Sequence, residues 1–243
     1  MPVKGAGGRA CLSPFRPAGI TEGMSVPPLV DDAELPLRLA RRLRRPLPGR
    51  AAQASMAPPL SCGRHFDPPL PDVRCAAVIA LLYPREGQWH LPLVLRPEEM
   101  TSHAAQVGLP GGLIEPDEDA PAAALRELEE ELGVRPGDVR LLGPLSPLMV
   151  FVSNFHVAPW LGWVAARPEF RPNPAEVAEL LELPAAALLD PALRGRHRRL
   201  ERGIELSVPH FACGRHFIWG ATGMLLAELA ALLQDGPPAS PAG

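Results

Sequence analysis

Hydrophobic positions change their period along the chain. Residues 75–83 form an apolar run free of charged side chains, and residues 89–95 form a second. Runs of this length read as buried strands, and 84–88 between them, with Gly87, reads as a hairpin. At 121–132 the spacing becomes helical. Leu125, Leu128 and Leu132 lie on one side, Pro121 suits the first turn, and Gly133 suits a left-handed position after the last. Further strands are predicted at 139–142, 148–152 and 156–164, and short helices at 175–181 and 184–189. A late hairpin joins 207–211 to 213–218. An amphipathic helix at 222–233 closes the domain and is stopped by Gly236-Pro237-Pro238. Strands before, between and after helices predict a mixed α+β or α/β sandwich.

The ends of the chain behave differently. Residues 1–30 lack periodicity and are expected to be disordered, with Met24 an alternative start; the same holds for 237–243. Between 31 and 45, Leu35, Leu39 and Leu43 recur every four residues among Arg38, Arg41, Arg42, Arg44 and Arg45. This predicts a short basic amphipathic helix with Asp31 or Asp32 at its start. It reads either as a phosphate or RNA patch or as a peripheral helix with leucines packed and arginines in water. The second is favoured, because charge runs usually solvate a face. The chain has 32 prolines in 243 residues, where an average usage near 5% gives about 12. They crowd residues 1–72, so 31–70 reads as the helix plus a proline-rich linker, with the main domain at 71–236.

Composition narrows the function classes. Hydrophobic residues make up 47% and charged residues 21%, which fits a globular protein. Net charge is 24 − 27 = −3, so there is no global attraction to nucleic acid or to an anionic membrane. No apolar stretch approaches the ~20 residues of a spanning helix, and no secretory signal pattern follows Lys4 and Arg9. Cys11, Cys62, Cys75 and Cys213 do not make a disulfide framework and fit a reducing cytoplasm.

The chemistry is concentrated in 112–134. Gly112 is followed after five residues by Glu118, and after seven more by Arg126-Glu127-Leu128-Glu129-Glu130-Glu131-Leu132-Gly133-Val134. On a helix, Glu127, Glu130 and Glu131 occupy i, i+3 and i+4 and crowd one face, while Glu129 points to solvent. Like charges so spaced destabilise a bare helix, and a hard divalent cation relieves them. In the preceding Leu109-Pro110-Gly111-Gly112, the glycines allow close approach of a ligand, and a carbonyl there can complete a metal shell. Arg126 is placed to pair with Glu118 and hold the loop. Seven fixed positions at ~6–7% usage recur by chance on the order of 10⁻⁹ per start point, which discounts an ordinary acidic helix.

Residues 112–134 resemble the Nudix box, with every defining position filled. The resemblance covers roughly 72–234. It implies an α/β fold of the Nudix type, an α/β/α sandwich with a mixed β-sheet. It also implies hydrolysis of a nucleoside diphosphate linked to another moiety, with Mg²⁺ or Mn²⁺ held by Glu127, Glu130 and Glu131 and by the Gly111 carbonyl. Glu118, Arg126 and Gly133 are then the structural residues of the motif.

Flanking segments resemble coenzyme A pyrophosphatases: Leu95-Arg96, Met100, His103 and Gln106-Val107-Gly108-Leu109-Pro110-Gly111-Gly112, then Ser153-Asn154-Phe155-His156, Pro172-Asn173-Pro174-Ala175-Glu176-Val177 and Ile218-Trp219-Gly220-Ala221-Thr222. Pro97, Thr101, Ala105 and Leu109 depart from that pattern, Thr101 standing where a second arginine is usual. The resemblance implies a small CoA-like nucleotide as partner, with Arg96, His103, Gly112 and Asn154 on the substrate side. Nucleic acid and membrane are not expected partners, and a homodimer is left open.

Arg96, at a strand end beside the glycine loop, suits phosphate binding through its planar fork. Glu176 reads either as a helix-start glutamate or as an added metal or general-base carboxylate, joining Glu130 and Glu131 as catalytic candidates. Two Cys-x-x-His pairs, Cys62/His65 and Cys213/His216, have zinc-ligand chemistry, but their contexts favour coincidence. Two other functions are compatible: hydrolysis of another nucleotide diphosphate such as ADP-ribose or a dinucleotide, and a non-catalytic nucleotide-binding module. The intact glutamate set argues against the latter.

Overall fold

The apolar run at 75–83 is the centre of the fold. The computed structural model describes residues 32–59, 65, 68, 72–98, 105–151, 153–201 and 203–234. Its elements begin with α1 (Leu35–Arg42), α2 (Gly49–Gln53), β1 (Arg74–Arg85), β2 (Gln88–Leu95), β3 (Val107–Gly108), β4 (Gly111–Leu113) and α3 (Ala120–Leu132). They continue with β5 (Arg140–Pro144), β6 (Leu148–Val150), β7 (Phe155–Trp163), β8 (Glu179–Pro184), β9 (Arg194–Glu201), β10 (Ile204–Cys213), β11 (His216–Ile218) and α4 (Gly220–Gln234).

On β1, Ala77, Ile79, Leu81 and Tyr83 pack on one side of the sheet, and Ala76, Ala80 and Leu82 on the other. Both faces are buried, which is why the run is continuous rather than alternating. β1 pairs in parallel with β7 and antiparallel with β2 and β4. β3 and β8 extend from β2, and β5 and β6 from β7, all antiparallel, so the sheet is mixed. The β1–β2 turn places Glu86 and Gly87 at φ of 50° and 71°, a two-residue hairpin whose twist matches the strands. Helix α3 covers the Tyr83 face with Ala123, Ala124, Leu128 and Leu132. Helix α4 covers the other with Leu225, Leu226, Leu229 and Leu233. The result is an α/β/α sandwich around a mixed sheet. β9, β10 and β11 form a second, antiparallel sheet that sends Phe211 and Ile218 into the α4-side core.

Two local expectations are corrected and two are refined. Residues 175–181 are not a helix: 174–176 form a turn and β8 follows, because β2 recruits a partner from His90 to Leu95. The short helix expected at 184–189 is present as a 3₁₀ helix over Ala185–Leu189. The late hairpin gains β9, whose arginine-rich sequence hides a strand. The stretch read as linker carries α2 and a 3₁₀ turn, and buries Met56 in the same core as Leu35 and Leu39. Arg41, Arg44 and Arg45 remain exposed. Residues 1–30 and 237–243 lie outside the described residues. Among the described residues, no helix is long and apolar enough to cross a membrane.

Tyr83 also anchors an ionic cluster. Its hydroxyl donates to Glu182 at 2.7 Å, Arg85 donates to the same carboxylate at 2.9 Å, and Arg167 donates twice at 2.8 Å. The Arg167 fork, then Tyr83 and Arg85, hold the Glu182 carboxyl down to about 2 from its ordinary 4.5, against the opposing effect of burial. A depressed folded-state pKa stabilises the fold above pH 4.5 and ceases to do so as pH falls through about 2. Glu182→Gln is therefore expected to flatten the fall of Tm with pH in that window. An equally steep fall in the variant would assign acid sensitivity to other groups.

Candidate active site

Helix α3 starts where Asp119 accepts the Ala122 N–H at 3.0 Å, and ends at Gly133 with φ 71°. Both caps follow from local chemistry: a short acceptor at the first turn and a residue without Cβ after the last. With Leu128 and Leu132 turned to the core, Glu131 is carried inward to 1% exposure, and its Oε2 accepts the Gly111 N–H at 3.0 Å. Glu127 lies over Gly112, where a Cβ would come within 2.3 Å of its Oε1. Gly111 has φ 148°, and a Cβ there would meet the Ala77 carbonyl at 2.3 Å. The double glycine is what lets β4 run between β1 and two carboxylates.

A third carboxylate, Glu176, arrives from the turn before β8. Ligand oxygens of Glu127, Glu131 and Glu176 all lie within 4.8 Å of one another. Glu130 stands apart in this arrangement. Successive helical residues are ~100° apart, so Glu130 faces outward beside Glu131, 50% exposed, and accepts Arg126 Nη1 at 2.9 Å.

Electrostatics mark Glu127 and Glu131 as costly to ionise. Burial pushes the Glu131 carboxyl up to about 8, reinforced by Glu127 and Glu176 and opposed by the Gly111 amide and Arg96. Glu127 is raised too, chiefly by burial, against the pull of Arg126. The donor set is all oxygen and all carboxylate. A hard divalent cation suits it and offsets both desolvation and mutual repulsion.

Arg126 holds the surrounding loop. It donates to Glu118 at 2.8 Å, to Glu127 at 3.0 Å and to the Leu113 carbonyl at 2.9 Å. Glu118 in turn accepts the Glu115 N–H at 3.0 Å, and the Arg126 guanidinium keeps its carboxyl below the usual range. At the end of β2, Arg96 Nη1 sits 3.7 Å from Glu131 Oε1, and its buried Nε has no hydrogen-bond partner.

A profile of the NUDIX domain matches residues 73–202. The chain belongs to the Nudix family. It is 37% identical to NudL of Pectobacterium atrosepticum, an uncharacterized Nudix hydrolase, over 152 residues that cover 60% of this chain and 77% of the relative. NudL of Photorhabdus laumondii, also uncharacterized, is 34% identical over 145 residues, 59% of this chain and 77% of the relative. Among solved structures, a MutT/nudix family protein of Enterococcus faecalis aligns with a TM-score of 0.45 at 15% identity, covering 81% of this chain and 72% of its own. The protein is thus a Nudix hydrolase, of a family whose hydrolases use divalent cations, and Glu127, Glu131 and Glu176 fit such an ion.

Other residues singled out in this Nudix hydrolase fall elsewhere. His103 and Cys62 lie outside the described residues. Asn154, at φ 54°, donates its amide to the Asp72 carbonyl at 3.1 Å, and its backbone carbonyl accepts the Arg74 N–H. It braces the start of β1. The His65 ring meets the Met149 carbonyl at 2.6 Å. His216 turns toward Glu179 at 3.2 Å, across the β10–β11 turn from Cys213. Sequence reasoning missed the Gly111 amide on Glu131 and the attachment of the Glu176 turn to the end of α3, because neither backbone contact leaves a side-chain signature.

Proposed function

We propose that the protein hydrolyses CoA or an acyl-CoA at its diphosphate, giving 3′,5′-ADP and (acyl-)4′-phosphopantetheine, with Mg²⁺ or Mn²⁺ as the cation, in the cytoplasm. The observation that carries this reading is Arg96. It belongs to the segment that resembles CoA pyrophosphatases, and its guanidinium stands beside Glu131 with a buried donor to spare. Buried donors are nearly always paired, and a phosphate oxygen is a strong acceptor for a guanidinium.

Glu127, Glu131 and Glu176 would hold the cation, with the Gly111 carbonyl as a further oxygen. When bound, the cation polarises phosphoryl oxygens and lowers the pKa of a bound water. Arg96 orients the diphosphate, and the missing Cβ of Gly112 leaves room for the Glu127 carboxylate beside it. Glu130, on the open side of the helix, or Glu176 takes the water proton while the new P–O bond forms and the anhydride P–O bond breaks. The coenzyme A pyrophosphatase resemblance adds His103 and Asn154 as candidate substrate contacts.

Thr101 supports a second reading, hydrolysis of ADP-ribose or a dinucleotide, because the second arginine of the CoA pattern is absent there. A non-catalytic module has no use for carboxylates held buried at such cost. Incubating the protein with CoA, ADP-ribose, NADH and dinucleotides, and identifying products by mass, separates these readings. If ADP-ribose or a dinucleotide is turned over well and CoA is ignored, the CoA reading fails. A charge-assisted contact contributes ~1.5–3 kcal/mol. Thr101→Arg is therefore expected to raise the kcat/KM preference for CoA over dephospho-CoA by roughly ten- to a hundredfold. Steady-state kinetics on both substrates at matched ionic strength measure it.

A further inference from the structure

The turn that delivers Glu176 is fastened at both ends. Before the turn, where the chain passes the end of α3, the Arg171 N–H donates to the Leu132 carbonyl at 2.8 Å, and the Asn173 N–H to the Glu131 carbonyl at 2.9 Å. Helix ends leave such carbonyls without an intrahelical partner, so they are natural docking points for a passing chain. Asn173 thus docks on the residue whose side chain belongs to the carboxylate cluster. It then folds the chain back on itself. Its Oδ1 accepts the Ala175 N–H at 3.2 Å, and its carbonyl accepts the N–H of Glu176 at 3.0 Å and of Val177 at 2.8 Å. Beyond the turn, Val177 is buried in the α3-side core, and the Ala178 N–H donates to the Leu95 carbonyl at 2.8 Å. Asparagine suits the junction because its short side chain reproduces a backbone turn.

We propose that Asn173 is a positioning residue for the carboxylate cluster: it sets Glu176 against Glu127 and Glu131, so that affinity for a divalent cation depends on its side-chain oxygen. The proposal rests on reading Glu176 as a cation ligand. The physical reason is crowding. Glu176 is partly exposed, and without the Asn173 Oδ1 bond its carboxylate is free to leave the crowded acidic cluster by turning to water. The backbone bond to Glu131 survives loss of the side chain, so the fold is kept and only the direction of Glu176 is released.

The test is Mn²⁺ binding to the full-length protein, read from the electron paramagnetic resonance of free Mn²⁺, with Tm measured in metal-free buffer. Residues that orient metal ligands typically contribute 10–100-fold to affinity. Asn173→Ala is expected to weaken Mn²⁺ binding by roughly tenfold with metal-free Tm unchanged. Asn173→Asp, which keeps the acceptor, is expected to restore it. Unchanged affinity in Asn173→Ala, no rescue by Asn173→Asp, or a collapse of metal-free Tm in Asn173→Ala each overturns the proposal. Glu176→Gln is run alongside. If it leaves Mn²⁺ binding intact, the ligand reading of Glu176 has failed. If it weakens binding while Asn173→Ala does not, only the positioning role has failed.

Discussion

Glutamine in place of Glu131 is expected to lower kcat/KM by at least about a hundredfold, the scale on which metal-site partners act, without loss of fold. Glutamine keeps the shape and an oxygen that can still accept the Gly111 N–H, so the contact between α3 and β4 survives. What it removes is the buried negative charge beside Glu127 and Glu176. Without metal, the raised pKa of about 8 leaves that carboxyl mostly protonated near pH 7, so the charge is expressed when a cation binds. Tm without metal should therefore stay level or rise, while the gain in Tm on adding Mn²⁺ shrinks. Glu129→Gln is the control. Glu129 is exposed on the same helix, and turnover should be close to the parent. Steady-state kinetics of the two variants, with Tm in the presence and absence of Mn²⁺, decide the matter. Equal losses from both would mean that helical charge, not the buried face, matters.

The helix carrying Glu131 is legible in the sequence because three independent signals coincide there: glutamates at helical spacing, a proline at the start and a glycine past the end. The division of labour among those glutamates is not. Spacing groups Glu130 with Glu127 and Glu131, but the helix rotation that buries Leu128 and Leu132 turns Glu131 inward and Glu130 to solvent. Only the position of the Gly111 loop decides which carboxylates face it. Glu176 illustrates a different limit. Its surroundings are rich in alanine, glutamate and leucine, a helical composition. Yet the unpaired length of β2 draws 179–184 into a strand, and tertiary pairing overrides propensity. β9 hid for a related reason: Arg194, Arg196 and Arg198 are exposed along one face of the strand, and its hydrogen bonds to β10 have no sequence signature.

A chain lacking residues 1–59 is expected to be largely unfolded at 25 °C, although the complete Nudix motif is retained. Proline content makes this stretch look dispensable, but Leu35 at 0%, Leu39 at 1% and Met56 at 4% exposure belong to the core beneath α4. Burying each such side chain contributes ~1.5–3 kcal/mol, against a total stability of about 5–15 kcal/mol for a domain. Polar pairing adds to the loss. Glu228 is fully buried on α4 and accepts the Gly49 N–H at 3.1 Å and Gln53 Nε2 at 2.9 Å, besides the Ser146 hydroxyl at 2.6 Å. Deleting α2 strips two of these donors from a carboxylate, and an under-satisfied buried charge is among the most destabilising defects. Denaturant titration of three proteins tests the idea. A chain beginning at Met24 should match the parent in midpoint and turnover. Leu39→Ala, which removes no backbone, should cost ~2–5 kcal/mol. The chain without 1–59 should show no cooperative transition. If that chain instead unfolds cooperatively near the parent midpoint, α1 and α2 ride on the domain without supporting it, and the contacts to Glu228 are incidental to stability.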